Sequence, residues 1–147
     1  MTYSERAKNI FVEEIGELQK LAVSIDENFD KAVELIYACQ GKLVVMGIGK
    51  TGIIGHKIAA SLASTGTSAI FVNAVEAVHG DLGMVSGKDV VLLVSNSGST
   101  NEILNVIAPL RNLGCTIIAM TGNPDSQLAQ ESDVVISVHV DLSLIHI

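Results

Sequence analysis

Aromatic side chains are scarce, at 3% of 147 residues, while hydrophobic residues make up 48%. The core of this chain is therefore aliphatic and depends on small-residue packing, and the length suits one domain with a real core. Positive charge is scarce as well: nine Lys and Arg stand against sixteen Asp and Glu, a formal net charge of −7. A nucleic acid partner needs Lys/Arg patches to neutralise its phosphates, and none is visible, so no nucleic acid partner is expected. No apolar run reaches the ~18 residues of a membrane span, and the charged, helix-patterned N-terminus has no signal-peptide core. No membrane partner is expected. There are only two cysteines, Cys39 and Cys115, both in apolar runs. Buried free thiols are expected rather than a disulfide, and with them a reducing, cytoplasmic setting. C-x-x-C and H-E-x-x-H are both missing, so no metal and no other cofactor is expected. Internal repeats and low-complexity linkers are missing too.

What the chain does have is alternation. Residues 4–25 carry apolar side chains at helical spacing, with Thr2 and Glu5 at capping-box spacing before them. A second helix over about 27–40 is capped by Ser24 and Glu27 and ended by Gly41. These two helices read as an arm or cover without chemistry. Leu43–Gly47 is a continuous apolar strand of the kind covered on both faces. A glycine turn and a helix to about Ser64 follow, in which Gly55, Ala59, Ala60 and Ala63 suit close helix–sheet approach. Strands are expected at 68–72, 89–94, 115–120 and 133–138. Helices are expected at about 101–112, irregular at Pro109 and closed by Gly114, and after the turn at 121–125. Residues 73–88 show no clear period and form a long connection, which in a compact domain is usually functional. Strands alternating with helices give a doubly wound α/β sheet, whose ligands bind at the carboxyl ends of the strands.

Three stretches fall on that edge. Gly47-Ile48-Gly49-Lys50-Thr51-Gly52 matches G-x-G-x-x-G. A dinucleotide site should then have an acidic residue closing the second strand, and Asn73 stands there instead, with Glu76 out in the loop. A P-loop needs a glycine where Val44 stands. What is left is a turn that carries Lys50 to the ligand edge or simply solvates it. The second stretch, within 73–88, holds His79, which is either a general acid or base or a structural loop histidine. The third is Ser95-Asn96-Ser97-Gly98-Ser99-Thr100. It lies between a buried strand and a helix, which is where hydroxyls and free N–H groups receive an anion, phosphate best of all. The bland alternative is a polar helix cap, although the hydroxyls outnumber what one cap needs. Glu102 follows one turn later. It serves either as a proton carrier or, from Ser99-x-x-Glu102 spacing, as half of a capping box. His56 reads as a helix-surface residue; His139 and His146 look incidental.

These stretches, with Ala63-Ser64-Thr65-Gly66-Thr67 and Glu76-Ala77-Val78-His79-Gly80-Asp81-Leu82-Gly83-Met84, resemble the sugar isomerase (SIS) domain. More closely they resemble the arabinose-5-phosphate isomerase family, over about residues 5–140. The resemblance implies a three-layer α/β/α sandwich with a five-stranded parallel sheet, preceded by two N-terminal helices. It implies a homotetramer with sites near subunit interfaces, and the sugar-phosphate interconversion of D-arabinose 5-phosphate and D-ribulose 5-phosphate through an enediol, toward the Kdo sugar of lipopolysaccharide. It carries catalysis onto Lys50, His79 and Glu102 and the phosphate cradle onto Ser95–Thr100. Gly49, Thr51 and Asp81 are expected to touch other parts of the substrate. The rival is a non-catalytic SIS module that senses a sugar phosphate. Where the family continues past Val140 into a long helix and a His-Pro-Gly-Gly run, this sequence reads Asp141-Leu142-Ser143-Leu144-Ile145-His146-Ile147. The expectation is a SIS domain over 1–140, incomplete at its C-terminal end and without CBS modules, then an atypical tail over 141–147 in which His146 is no counterpart of the family histidine.

Overall fold

A computed structural model describes residues 1–142; His146 and the rest of the tail beyond Leu142 lie outside the described residues. Helix α1 spans Tyr3–Ser24, and Thr2 and Glu5 form the reciprocal capping box at its start. Helix α2 spans Glu27–Tyr37. Its cap is Asp26, which accepts from the Asn28 N–H, while the Ser24 hydroxyl bonds back to the Leu21 carbonyl. The helix ends at Ala38, three residues short of Gly41.

Strand β1 (Leu43–Gly47) leads into α3 (Gly49–Ser64), then β2 (Ala69–Asn73). The connection that showed no period contains a short helix α4 (Ala74–Val78) and a 3-10 turn over Asp81–Met84. The Asn73 side chain starts α4 by accepting from the Val75 N–H at 2.9 Å. Strand β3 (Val90–Val94) and helix α5 (Asn101–Leu113) follow, then β4 (Thr116–Thr121), α6 (Gln127–Gln130) and β5 (Val134–Ser137). Helix α5 runs unbroken through Pro109 and closes on Gly114 in the left-handed region, so the expected irregularity does not interrupt it.

The five strands are parallel in the order β2-β1-β3-β4-β5. Every residue of β1 and β3 is buried, because alternate side chains enter opposite cores. Val44, Met46, Val91 and Leu93 meet Ile103, Val106 and Leu110 of α5 on one face. Leu43, Val45 and Leu92 meet Ala32 of α2 and Ala59 of α3 on the other. This is the three-layer α/β/α arrangement expected. Of the small residues on α3, Gly55 and Ala59 face the sheet, and Gly52 packs on the Gly47 backbone, where a Cβ would come within 3.3 Å. Ala60, about 100° round the helix from Ala59, and Ala63, in the last turn, are exposed instead.

Helix α1 buries only Glu17. It is tied to the chain after β5 by polar contacts: the Asp141 N–H donates to Glu17 Oε2 at 2.7 Å, and Lys20 Nζ bridges Glu17 and Asp141 at 2.8 Å each. Among the described residues, Phe11, Ile15 and Leu18 on its apolar face are exposed. Among the described residues, no helix is long and apolar enough to cross a membrane.

Candidate active site

Strand order fixes where the crevice lies. From β1 the chain crosses to β2 on one side, and β3 then pairs on the other side of β1. The carboxyl ends of β1 and β3 therefore diverge at a topological switch point, the usual ligand position in such sheets. The Gly49–Gly52 turn leaves β1 there, and the serine loop leaves β3.

The loop is held by its own side chains. Ser95 is buried, and its Oγ accepts from the Gly98 N–H at 3.2 Å. The Ser97 Oγ accepts from the Ser99 N–H at 3.3 Å. The Thr100 hydroxyl lies 3.4 Å from Ser95 Oγ and 3.5 Å from Ser97 Oγ. Gly98 has φ of +62°, and a Cβ there would strike the Ser126 side chain. Its carbonyl accepts from the Leu128 N–H at 3.0 Å, so the start of α6 backs the loop. The Asn96 carbonyl accepts from the Gly122 N–H and the Thr121 hydroxyl at the end of β4. Among the described residues, the N–H groups of Ser97, Thr100, Asn101 and Glu102 find no acceptor. Together with the partial positive charge at the start of α5, they suit an anion. Asn96, Ser97 and Ser99 are exposed at this edge, whereas Ser95 is part of the loop's framework.

Glu102 is exposed in the first turn of α5. The helix cap is Thr100, without a side-chain cap bond, so the Ser99–Glu102 capping box does not form. Lys50 is exposed in the first turn of α3, beside Gly49 with φ of +54°. Thr51 is half-buried and donates to the Ile48 carbonyl at 2.8 Å, which commits its hydrogen to the backbone. His79 is exposed at the end of α4, and Asp81 is exposed at the start of the 3-10 turn. Ala74 and Ala77 of α4 share a core with Ile103, Val106 and Ile107 of α5. That packing brings the His79 segment beside the helix that carries Glu102. No hydrogen bond or ion pair joins Lys50, His79 and Glu102 among the described residues; they share an edge of the sheet rather than a contact network.

A shallow cavity of about 310 Å³ adjoins the turn, between Gly49, His56, Lys57, Phe71 and Asn73. His56, exposed as expected, stacks on Phe71 with ring centroids 5.5 Å apart. The larger cavity, about 570 Å³, opens at the opposite edge of the sheet, between Val33, Ile36, Tyr37 and Leu62, and holds none of the candidate residues. Sequence reading did not find Asn73 as a helix cap, nor Thr121, Gly122 and Ser126 as the wall behind the loop. The Asn73-x-x-Glu76 spacing was a legible signal for the first; the wall has no signal in local spacing.

The SIS domain matches residues 36–142. Arabinose 5-phosphate isomerase KdsD of Pseudomonas aeruginosa is 51% identical over 117 residues, 80% of this chain and 36% of that protein. Arabinose 5-phosphate isomerase KdsD of Escherichia coli strain K12 is 45% identical over 138 residues, 94% of this chain and 42% of that protein. The chain thus spans less than half the length of these relatives. Among solved structures, E. coli CFT073 c3406 in complex with arabinose 5-phosphate superposes with a TM-score of 0.86 at 39% identity, covering 100% of this chain and 81% of its own. Fold, motifs and identity agree: the chain belongs to the SIS domain family.

Proposed function

We propose that the protein is an aldose–ketose isomerase for a pentose 5-phosphate, interconverting D-arabinose 5-phosphate and D-ribulose 5-phosphate. The observation that carries this reading is Glu102: exposed, released from any capping box, and one turn beyond a loop with free N–H groups and hydroxyls. The similar c3406 structure, a complex with arabinose 5-phosphate, and the KdsD relatives support the choice of substrate.

The phosphoryl group docks on the loop from Ser95 to Thr100. Glu102 removes the proton from C2 of the open-chain aldose, the C1–C2 enediol forms, and the same proton returns to C1 of the ketose. Lys50 offsets negative charge on the oxygens during this step. His79 moves the proton between the two oxygens or assists ring opening, and the roles of Glu102 and His79 are exchangeable in this scheme. Gly49, Thr51 and Asp81 line the sugar's path along the edge. The chemistry is internal redox between adjacent carbons and balances without an external hydride carrier. A homo-oligomer, a tetramer by family resemblance, is supported by the apolar side chains exposed on α1. A cytoplasmic setting is supported by the free thiols Cys39 and Cys115, and the Kdo route of lipopolysaccharide by the KdsD relatives.

Glu102→Gln tests the reading. We expect kcat for arabinose 5-phosphate to fall by ~10²–10⁴, with binding of inorganic phosphate close to that of the unaltered protein. Equal losses in turnover and phosphate binding would make Glu102 a structural residue.

A further inference from the structure

The end of β4 sets the direction of one peptide in the loop. The Asn96 carbonyl accepts from two donors there, the Gly122 N–H at 3.0 Å and the Thr121 hydroxyl at 3.2 Å. A Cβ on Gly122 would meet Asn96 Oδ1 and come within 3.1 Å of the Asn96 carbonyl oxygen, so a side chain there would at least displace the Asn96 amide. In a trans peptide the C=O and the following N–H point in opposite directions, and no peptide bond here is cis. Pinning the Asn96 carbonyl against β4 therefore turns the Ser97 N–H away from β4. On that side no described residue accepts it. The Thr121 hydroxyl is itself fixed. It is fully buried, accepts from the Asn123 N–H at 3.1 Å, and has the Asn123 carbonyl only as a longer alternative at 3.4 Å.

We propose that Thr121 is a positioning residue for anion binding: its hydroxyl orients the Asn96–Ser97 peptide so that the Ser97 N–H meets the phosphoryl group. Thr121 never touches the substrate in this role. The proposal rests on the serine loop being the phosphate cradle of the reaction above, and its test separates the two.

Thr121→Val keeps the shape and the β-branched strand preference of the residue and removes the hydroxyl; Thr121→Ser keeps the hydroxyl. Titration calorimetry with inorganic phosphate and steady-state kinetics with arabinose 5-phosphate read the effect. For Thr121→Val the phosphate Kd and the KM rise about three- to tenfold, the worth of one hydrogen bond. Its kcat changes less than about twofold, and Thr121→Ser stays within about twofold of the unaltered protein throughout. A lowered Tm with unchanged Kd and KM would overturn the proposal and leave Thr121 a merely stabilising residue. So would a serine variant that behaves like the valine one. If the protein binds phosphate but turns over no sugar, the isomerase reading fails, while the phosphate Kd still decides the role of Thr121.

Discussion

Gly98 shows how much of the loop depends on a single hydrogen atom in place of a side chain. Its φ of +62° disfavours any L side chain, and the space above its Cα is filled by Ser126. Gly98→Ala therefore combines backbone strain with a clash and should weaken phosphate binding by more than about tenfold. Gly49 has a similar φ of +54° but open space where a Cβ would go. Gly49→Ala is strained without a clash, so calorimetry should rank its phosphate affinity between the unaltered protein and Gly98→Ala. The reverse ranking would mean that the β1–α3 turn, not the serine loop, sets the anion site. At this scale Lys50, His79 and Glu102 were legible as residues at loop edges. The framework role of Ser95 was not, because burial of a hydroxyl is a property of what surrounds it.

Helices α1 and α5 present opposite cases. Helix α5 buries Ile103, Val106, Ile107 and Leu110 against the sheet, and its start holds the loop. Helix α1 has an equally regular apolar stripe, yet Phe11 is 71% exposed, Ile15 52% and Leu18 62%. A stripe at i, i+4 and i+7 is the signature of a helix that packs on something, and among the described residues α1 packs on little. The proposed homo-oligomer would use this face: light scattering should then give a mass above that of one chain, and Ile15→Glu with Leu18→Glu should lower it. An unchanged mass would put the contact elsewhere. Capping was half legible at this scale. Thr2–Glu5 formed as its spacing implied, while Ser99–Glu102 did not, because the loop recruits the Ser99 N–H for Ser97 and hands the cap to Thr100.

At the amino edge of the sheet Lys42 and Asp89 form an ion pair whose carboxylate is buried and whose ammonium is partly exposed. Asp89 is 2% exposed and accepts from the Lys42 N–H at 3.0 Å, the Lys42 ammonium at 2.8 Å and the Ser86 N–H at 2.8 Å. Burial works against its ionisation, but the Lys42 ammonium and the two N–H groups prevail and hold the carboxyl below its ordinary range. Asp133 is held low in the same way, with burial opposed by Arg111 at its side and by the Ile117 N–H. A depressed carboxyl binds its proton more readily in the unfolded chain, whose Asp titrates near ~3.9. The stabilisation is therefore full above about pH 4 and is lost as pH falls through the lower folded value. Urea unfolding followed from about pH 6 downward should show stability falling below about pH 4. Asp89→Asn should cost about 2–4 kcal/mol near neutrality and flatten that decline. Parallel curves for the two proteins would show that Asp89 contributes nothing to acid sensitivity.

The sequence by itself determined the strands, their order along the chain and the polar loops between them. Periodicity and breaker residues act locally, over a few positions, and can be read there. It also singled out Ser95–Thr100 as a candidate anion loop, since hydroxyls and a glycine between a buried strand and a helix need no distant partner to be noticed. Tertiary structure alone decided the rest. The sheet order put the β1 turn and the serine loop on either side of one switch point, and the parallel pairing of β3 with β4 brought Thr121 and Gly122 against Asn96. That wall lies about twenty-five residues along the chain from the loop it supports. Hydrogen bonds between such distant positions follow from packing, and packing is settled only when the whole sheet forms.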